Sequence, residues 1–104
     1  MSQLASQTVY VTYEGAPGDR FDRNYYVDRH LPFVMQAWQR YGLESVAAFF
    51  PPLTHAGTLV ICECRFRDEA AIATAFGSPE TREVMADVPS FTDLAPTRLR
   101  ITPP

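Results

Sequence analysis

The stretch Leu59-Val60-Ile61-Cys62-Glu63-Cys64-Arg65-Phe66 constrains this chain more than any other. Successive side chains on a strand point to opposite faces. The run therefore divides into Val60, Cys62, Cys64 and Phe66 on one side and Leu59, Ile61, Glu63 and Arg65 on the other. The first set is apolar and suits a face covered by helices. The second is too apolar for plain water contact and too charged for a sealed core. Such a strand belongs to a sheet whose second face meets a partner or a ligand.

The rest of the chain supplies that sheet. Thr8 to Tyr13 is β-branched and aromatic, a strand signature, and Glu14 to Asp19 is a loop punctuated by Gly and Pro. Asp22 can cap a helix running to Tyr41, with Gly42 where a helix-ending glycine belongs. On it Tyr26, His30, Phe33, Val34, Ala37 and Tyr41 recur at steps of three and four as one stripe. Pro32 lacks the N–H that would bond the Asp28 carbonyl, which predicts a kink around His30-Leu31-Pro32. Leu43 to Phe50 is a second strand and Thr58 to Phe66 a third. Asp68 caps a short helix through Phe76, ended by Gly77. Ser78, Pro79 and Glu80 predict a new helix start with Ser78 as cap, running to about Asp87. Pro96 to Thr102 is a final strand.

The order β-α-β-β-α(α)-β within 104 residues predicts one α+β domain over residues 1–104. Its pattern is ferredoxin-like, βαββαβ, with two helices over one face of a four-stranded antiparallel sheet. Alternation on the last strand pairs Leu99 with Ile101 and Arg98 with Arg100. The expectation is that the two arginines join Glu63, Arg65, Tyr10 and Thr12 on the mixed face, which then carries a homodimer. A domain this small buries only about 65% of its unfolded surface. Enclosing a ligand cavity of ~300 Å³ within one chain is therefore difficult, so two chains are expected to share its walls.

Composition removes several function classes. All nine cations are arginine. With no lysine, Schiff-base chemistry and a phosphate-loop lysine are excluded. A net charge of −3 without a basic stripe argues against nucleic acid as a partner. Cys62 and Cys64 share a strand face too closely in sequence for a good disulfide, and no second Cys/His cluster completes a zinc site. They read as apolar fillers of a reduced core strand. The first seven residues lack a charged and an apolar signal region, and no run approaches the ~18 apolar residues of a membrane span. A cytoplasmic protein with no membrane partner, no metal and no cofactor is expected.

Two segments are richer than packing requires. One is Phe21-Asp22-Arg23-Asn24-Tyr25-Tyr26-Val27-Asp28-Arg29-His30-Leu31-Pro32. The other is Phe76-Gly77-Ser78-Pro79-Glu80, followed by Asp87-Val88-Pro89-Ser90-Phe91-Thr92-Asp93. Together they resemble the EthD-like family, named for ethyl tert-butyl ether degradation. Its members carry a tyrosine pair, then His, then Pro, here Tyr25-Tyr26, His30 and Pro32. A D-V-x-x-F element before the last strand is here Asp87, Val88 and Phe91. Gly42-Leu43 and Pro51 also agree, and the resemblance runs from about Val9 to Ile101. It implies a dimeric α+β barrel. Related barrels include cofactor-free monooxygenases, muconolactone isomerases, polyketide cyclases and haem-degrading enzymes. The family itself is known as an accessory to a cytochrome P450 ether-degrading system.

His30 is the first candidate for chemistry, since imidazole exchanges protons near neutral pH. The competing reading is a structural histidine that caps carbonyls freed by Pro32 and is held by Tyr26. Asp87 either orients His30 and binds a hydroxyl, or locks the loop before Pro89. Tyr25, Tyr26, Trp38 and Phe91 are the substrate-contact candidates, against a packing role for each. Phe49 and Phe50 are either cavity wall or core. Arg98 and Arg100 either hold an anionic substrate or pair with Glu63 across the sheet. His55 lies in a polar loop and reads as solvated.

Two functional expectations follow. In one, His30 transfers a proton on an apolar oxygenated small molecule, such as a phenol, enol or lactone, without a cofactor. In the other, the protein is a non-catalytic accessory that binds a hydrophobic ligand or a monooxygenase partner. A third reading, haem bound by His30, would be signalled by a Soret shift on haem addition.

Overall fold

The computed structural model describes residues 5–101. Four strands, β1 (Gln7–Gly15), β2 (Leu43–Phe49), β3 (Gly57–Phe66) and β4 (Pro96–Leu99), form one sheet in the order β2-β3-β1-β4. Every pairing is antiparallel. This is the ferredoxin-like α+β architecture expected from the order of elements. The sheet ladder stops at Leu99, short of the expected end; Thr102 and Met1 to Leu4 lie outside the described residues.

The first helical segment is continuous but not uniform. A turn of α-helix, α1 (Arg23–Tyr25), opens it, and the Asp22 carboxylate accepts from the Tyr25 N–H at 3.0 Å. A π-helical turn (Tyr26–His30) follows, then α2 (Leu31–Trp38) and a 3₁₀ turn (Gln39–Tyr41). Pro32 thus stands in the first turn of α2, where its missing N–H costs nothing, and the wide turn before it absorbs the mismatch. The extra residue re-phases the helix. The buried face comprises Tyr26, His30, Leu31, Val34, Ala37 and Trp38, whereas Phe33 and Tyr41 are only half-buried.

Gly42 ends the segment with φ +115°, and a Cβ there would stand 2.5 Å from the Ala71 Cβ. α3 (Glu69–Phe76) is capped by Asp68, which accepts from the Ala71 N–H at 2.8 Å. The next helix, α4 (Thr81–Ala86), begins later than its sequence suggests. Ser78 does not cap it: its hydroxyl donates back to the Ala75 carbonyl at 2.6 Å, satisfying the end of α3 instead. A 3₁₀ turn (Val88–Ser90) leads toward β4.

Val9, Tyr13, Val60, Cys62, Cys64 and Phe66 meet the helices in the core. The register corrects the expected division of β4. Arg98 stands opposite Val11 and Leu99 opposite Tyr10. Arg98 therefore points to the helix side, over the ring of Phe76, and Arg100 reaches Glu69 at the start of α3. The open face carries Tyr10, Thr12, Ala47, Phe49, Ile61, Glu63 and Leu99, and of the arginines expected there it keeps Arg65. Of these Phe49 and Leu99 are 55% and 41% exposed. Alternation had grouped the β4 residues properly but assigned each group to the opposite face. Arginine stems can lie along apolar surface while the heads reach its edge, so charge alone does not identify a strand's outer side.

Candidate active site

The two unusual sequence segments are joined in space. Phe21 bridges Thr92, the Asp22 N–H donates to the Phe91 carbonyl at 2.8 Å, and the Thr92 hydroxyl donates to the Arg20 carbonyl at 2.7 Å. Arg20 adds an ion pair to Asp93 and a hydrogen bond to the Pro89 carbonyl. These contacts fix the turn after α4 against the start of the helical segment. They bring Asp87 beside His30.

His30 Nδ1 is 2.9 Å from Asp87 Oδ2, and the Tyr25 hydroxyl donates to Asp87 Oδ1 at 2.7 Å. The His30 ring stacks on Tyr26, with centroids 5.5 Å apart, and rests on Phe91 at 4.6 Å. Burial lowers the imidazole pKa from its ordinary 6.5, although the Asp87 carboxylate opposes this. Burial would raise the Asp87 pKa, but hydrogen bonds from His30, Tyr25 and Ser90 outweigh it and hold the carboxyl below its usual range. A carboxylate facing Nδ1 selects the tautomer with the proton there, leaving the lone pair on Nε2. No backbone carbonyl freed by Pro32 engages the ring among the described hydrogen bonds.

His30 lines a cavity of about 320 Å³ between the sheet and the helices. Val11, Cys62 and Cys64 form its floor, Trp38 and Val84 belong to its helical side, and Arg98 lies on its β4 side. The difficulty of building a cavity within one small chain is therefore overcome here: a single chain supplies this wall.

The expected contact residues separate accordingly. Tyr26 and Trp38 line the cavity; Tyr25 and Phe91 do not. Tyr25 holds Asp87, and Phe91 is fully buried beneath His30. Phe49 lies on the open sheet face, and Phe50 packs edge-on against Phe21 and Tyr26. Trp38 is itself fixed, its indole N–H donating to Thr81 Oγ1 at 3.2 Å. His55 is exposed.

Sequence reasoning overlooked the two thiols as cavity residues, and it offered Arg98 for an anionic substrate on the opposite face of the sheet from the one it occupies. For Cys62 and Cys64 the signal was present, since they share a face with Val60 and Phe66. Their sulfurs stand 3.8 Å apart. Hydrogen bonding to Cys62 and burial both raise the Cys64 pKa. Burial and the neighbouring thiols likewise keep the Tyr13 and Tyr26 phenols protonated. Among the described residues no three His, Cys, Asp or Glu side chains converge as a metal centre would need. No helix there is long and apolar enough to cross a membrane.

Solved structures share this fold. An EthD-like protein from Ralstonia eutropha JMP134 superposes with a TM-score of 0.70 at 20% identity, covering 89% of this chain and 88% of its own. An ethyl tert-butyl ether degradation (EthD) family protein from Bacillus halodurans C-125 gives 0.64 at 15% identity, covering 92% and 99%. A candidate antibiotic biosynthesis monooxygenase from Bacteroides thetaiotaomicron VPI-5482 gives 0.53 at 11% identity, covering 98% and 92%. Among curated proteins, none matches the chain significantly. The EthD domain matches residues 18–95, a span that includes the tyrosine pair, His30, Asp87 and Phe91, and the chain belongs to the EthD family.

Proposed function

We propose that the protein binds an apolar oxygenated small molecule in the cavity and that His30 moves a proton on it without a cofactor. The observation that carries this reading is the orientation of one imidazole. Nδ1 is engaged by Asp87, and the other nitrogen belongs to a residue of the cavity wall. A neutral imidazole with an oriented ring is a competent general base at neutral pH. Asp87 and Tyr25 position it, while Tyr26 and Trp38 contact the ligand. Family membership and the fold shared with a candidate monooxygenase fit a small-molecule role in oxidative metabolism.

Surrogate substrates suffice for the test. The wild-type protein should catalyse deuterium incorporation from heavy water into members of a panel of enolisable ketones, lactones and phenols, followed by proton NMR. His30→Gln should abolish that exchange while circular dichroism stays unchanged. Exchange that persists in the variant sinks the reading. Ligand binding without exchange by the wild type would instead favour the accessory role beside a monooxygenase.

The second part of the proposal concerns assembly. The open face, with half-exposed Phe49 and Leu99 beside Ile61 and Tyr10, is the homodimer surface, two sheets facing each other as a barrel. Two free, buried thiols accord with a reducing, cytoplasmic setting.

A further inference from the structure

We infer that the molecule taken by the cavity carries a carboxylate, and that Arg98 binds it. This rests on the cavity being a small-molecule site and adds what that molecule must bear. The register places Arg98 opposite Val11, on the helix side of the sheet, where both line the cavity. Its guanidinium carbon lies 4.5 Å above the Phe76 ring, another wall residue. Among the described residues no side-chain hydrogen bond engages the Arg98 N–H donors, which form the fork that matches a carboxylate.

The charges around Arg98 support a missing anion. Arg20, Arg40, Arg67 and Arg100 each pair with a carboxylate, namely Asp93, Glu80, Asp68 and Glu69. Among the described residues Arg98 shares the lack of such a pair with Arg23, Arg29, Arg65 and Arg82, but of these only Arg98 lines the cavity, and no Asp or Glu lines it. The wall is otherwise largely aliphatic and aromatic. One exposed cationic fork at the cavity's edge and one neutral base within its wall suit an amphipathic acid: carboxylate at Arg98, apolar body across the cavity, acidic C–H or O–H toward His30.

Trp38 is the one tryptophan of the chain and lines this cavity, so its emission reports occupancy. The experiment titrates the full-length protein with matched acids and primary amides: phenylacetate, 4-hydroxyphenylacetate and 3-phenylpropionate, each against its amide. Calorimetry confirms the affinities. In at least one pair the acid should bind about tenfold tighter or more, as a charge-assisted bidentate contact requires. Arg98→Gln should bring that ratio close to one. Arg98→Lys should fall between, because an ammonium keeps the charge and loses the fork. Arg100→Gln, which breaks the contacts with Glu69 and Gln7 away from the cavity lining, should retain the preference.

Equal affinity for acid and amide in every pair overturns the inference. So does an acid preference that survives Arg98→Gln, or a wild-type protein that binds none of the acids at millimolar concentration. The two readings fail separately. An intact, Arg98-dependent acid preference without deuterium exchange removes proton transfer and leaves the anion subsite. Exchange that proceeds equally on acid and amide removes the subsite and leaves proton transfer.

Discussion

His30 and Asp87 are 57 positions apart in sequence, yet Nδ1 of one stands 2.9 Å from Oδ2 of the other. That contact determines which imidazole nitrogen is available for chemistry. Asp87→Asn puts it to the test. An asparagine can present its amide N–H to Nδ1, shifting the imidazole proton to Nε2 and removing the base. Proton exchange should fall by about 10²-fold or more. The His30 pKa, followed by NMR titration, should drop further, since Asp87 opposes the effect of burial. An unchanged His30 titration would show that Asp87 serves only the loop.

Stability should depend on pH in two windows. The folded His30 pKa lies below 6.5, so the unfolded chain takes up this proton first as pH falls. Stability from keeping His30 neutral is complete above the unfolded value and declines below it, until the folded group protonates as well. The folded Asp87 pKa lies below its ordinary 3.8. Its contribution is complete above the unfolded value and disappears as pH falls through the folded one. Urea melts between pH 8 and 3 should show both slopes. His30→Gln should lack the upper His30 component.

Gly42→Ala should destabilise the fold by about 2 kcal/mol or more, because a left-handed backbone costs an L-residue roughly 1–2 kcal/mol before any contact. The Ala71 Cβ at 2.5 Å adds to that. Urea midpoints measure the difference, with circular dichroism reporting whether the sheet persists.

Leu99→Asp and Phe49→Asp should each convert the dimer to a monomer in light scattering, from twice the 11.7 kDa chain mass to once. The register adds a salt prediction. Arg98 and Arg100 face the helices, so they cannot serve as the ion pairs of the open face. Glu63 and Arg65 are the expected ion-pair residues that stay on that face, so association should be driven mainly by apolar contact and largely survive high salt. A wild-type monomer at micromolar concentration would remove the barrel proposal.

Both thiols are buried, and the Cys64 pKa is raised. The hydrogen bond from Cys64 lowers the Cys62 pKa, so burial is what limits reagent access at both sites: a disulfide reagent should titrate Cys62 and Cys64 slowly in the native protein and rapidly after denaturation. Fast native reaction would mean that the cavity opens widely in solution.

Much of the architecture was legible in local pattern. Strand alternation in Val60, Cys62, Cys64 and Phe66 marked the buried face; Asp22 and Asp68 marked helix starts; Gly42 marked a helix end. These signals depend on periodicity and on backbone groups within a few residues, so one sequence carries them. Ser78 was misread because a hydroxyl next to two helix ends can serve either, and only the packed chain shows it bonded to Ala75.

The sequence by itself determined the order of elements, the composition of each strand face and the absence of any amine nucleophile. It also placed His30 and Asp87 in separate segments rich in polar and aromatic groups. Only the tertiary structure decided which face of β4 meets the helices, that a π turn precedes Pro32, and that Asp87 reaches His30. The reason is physical. Alternation defines two faces without saying which is covered, and register is set by pairing with a strand far away in sequence. A one-residue difference in that pairing is what moves Arg98 from the open sheet face to the edge of the cavity.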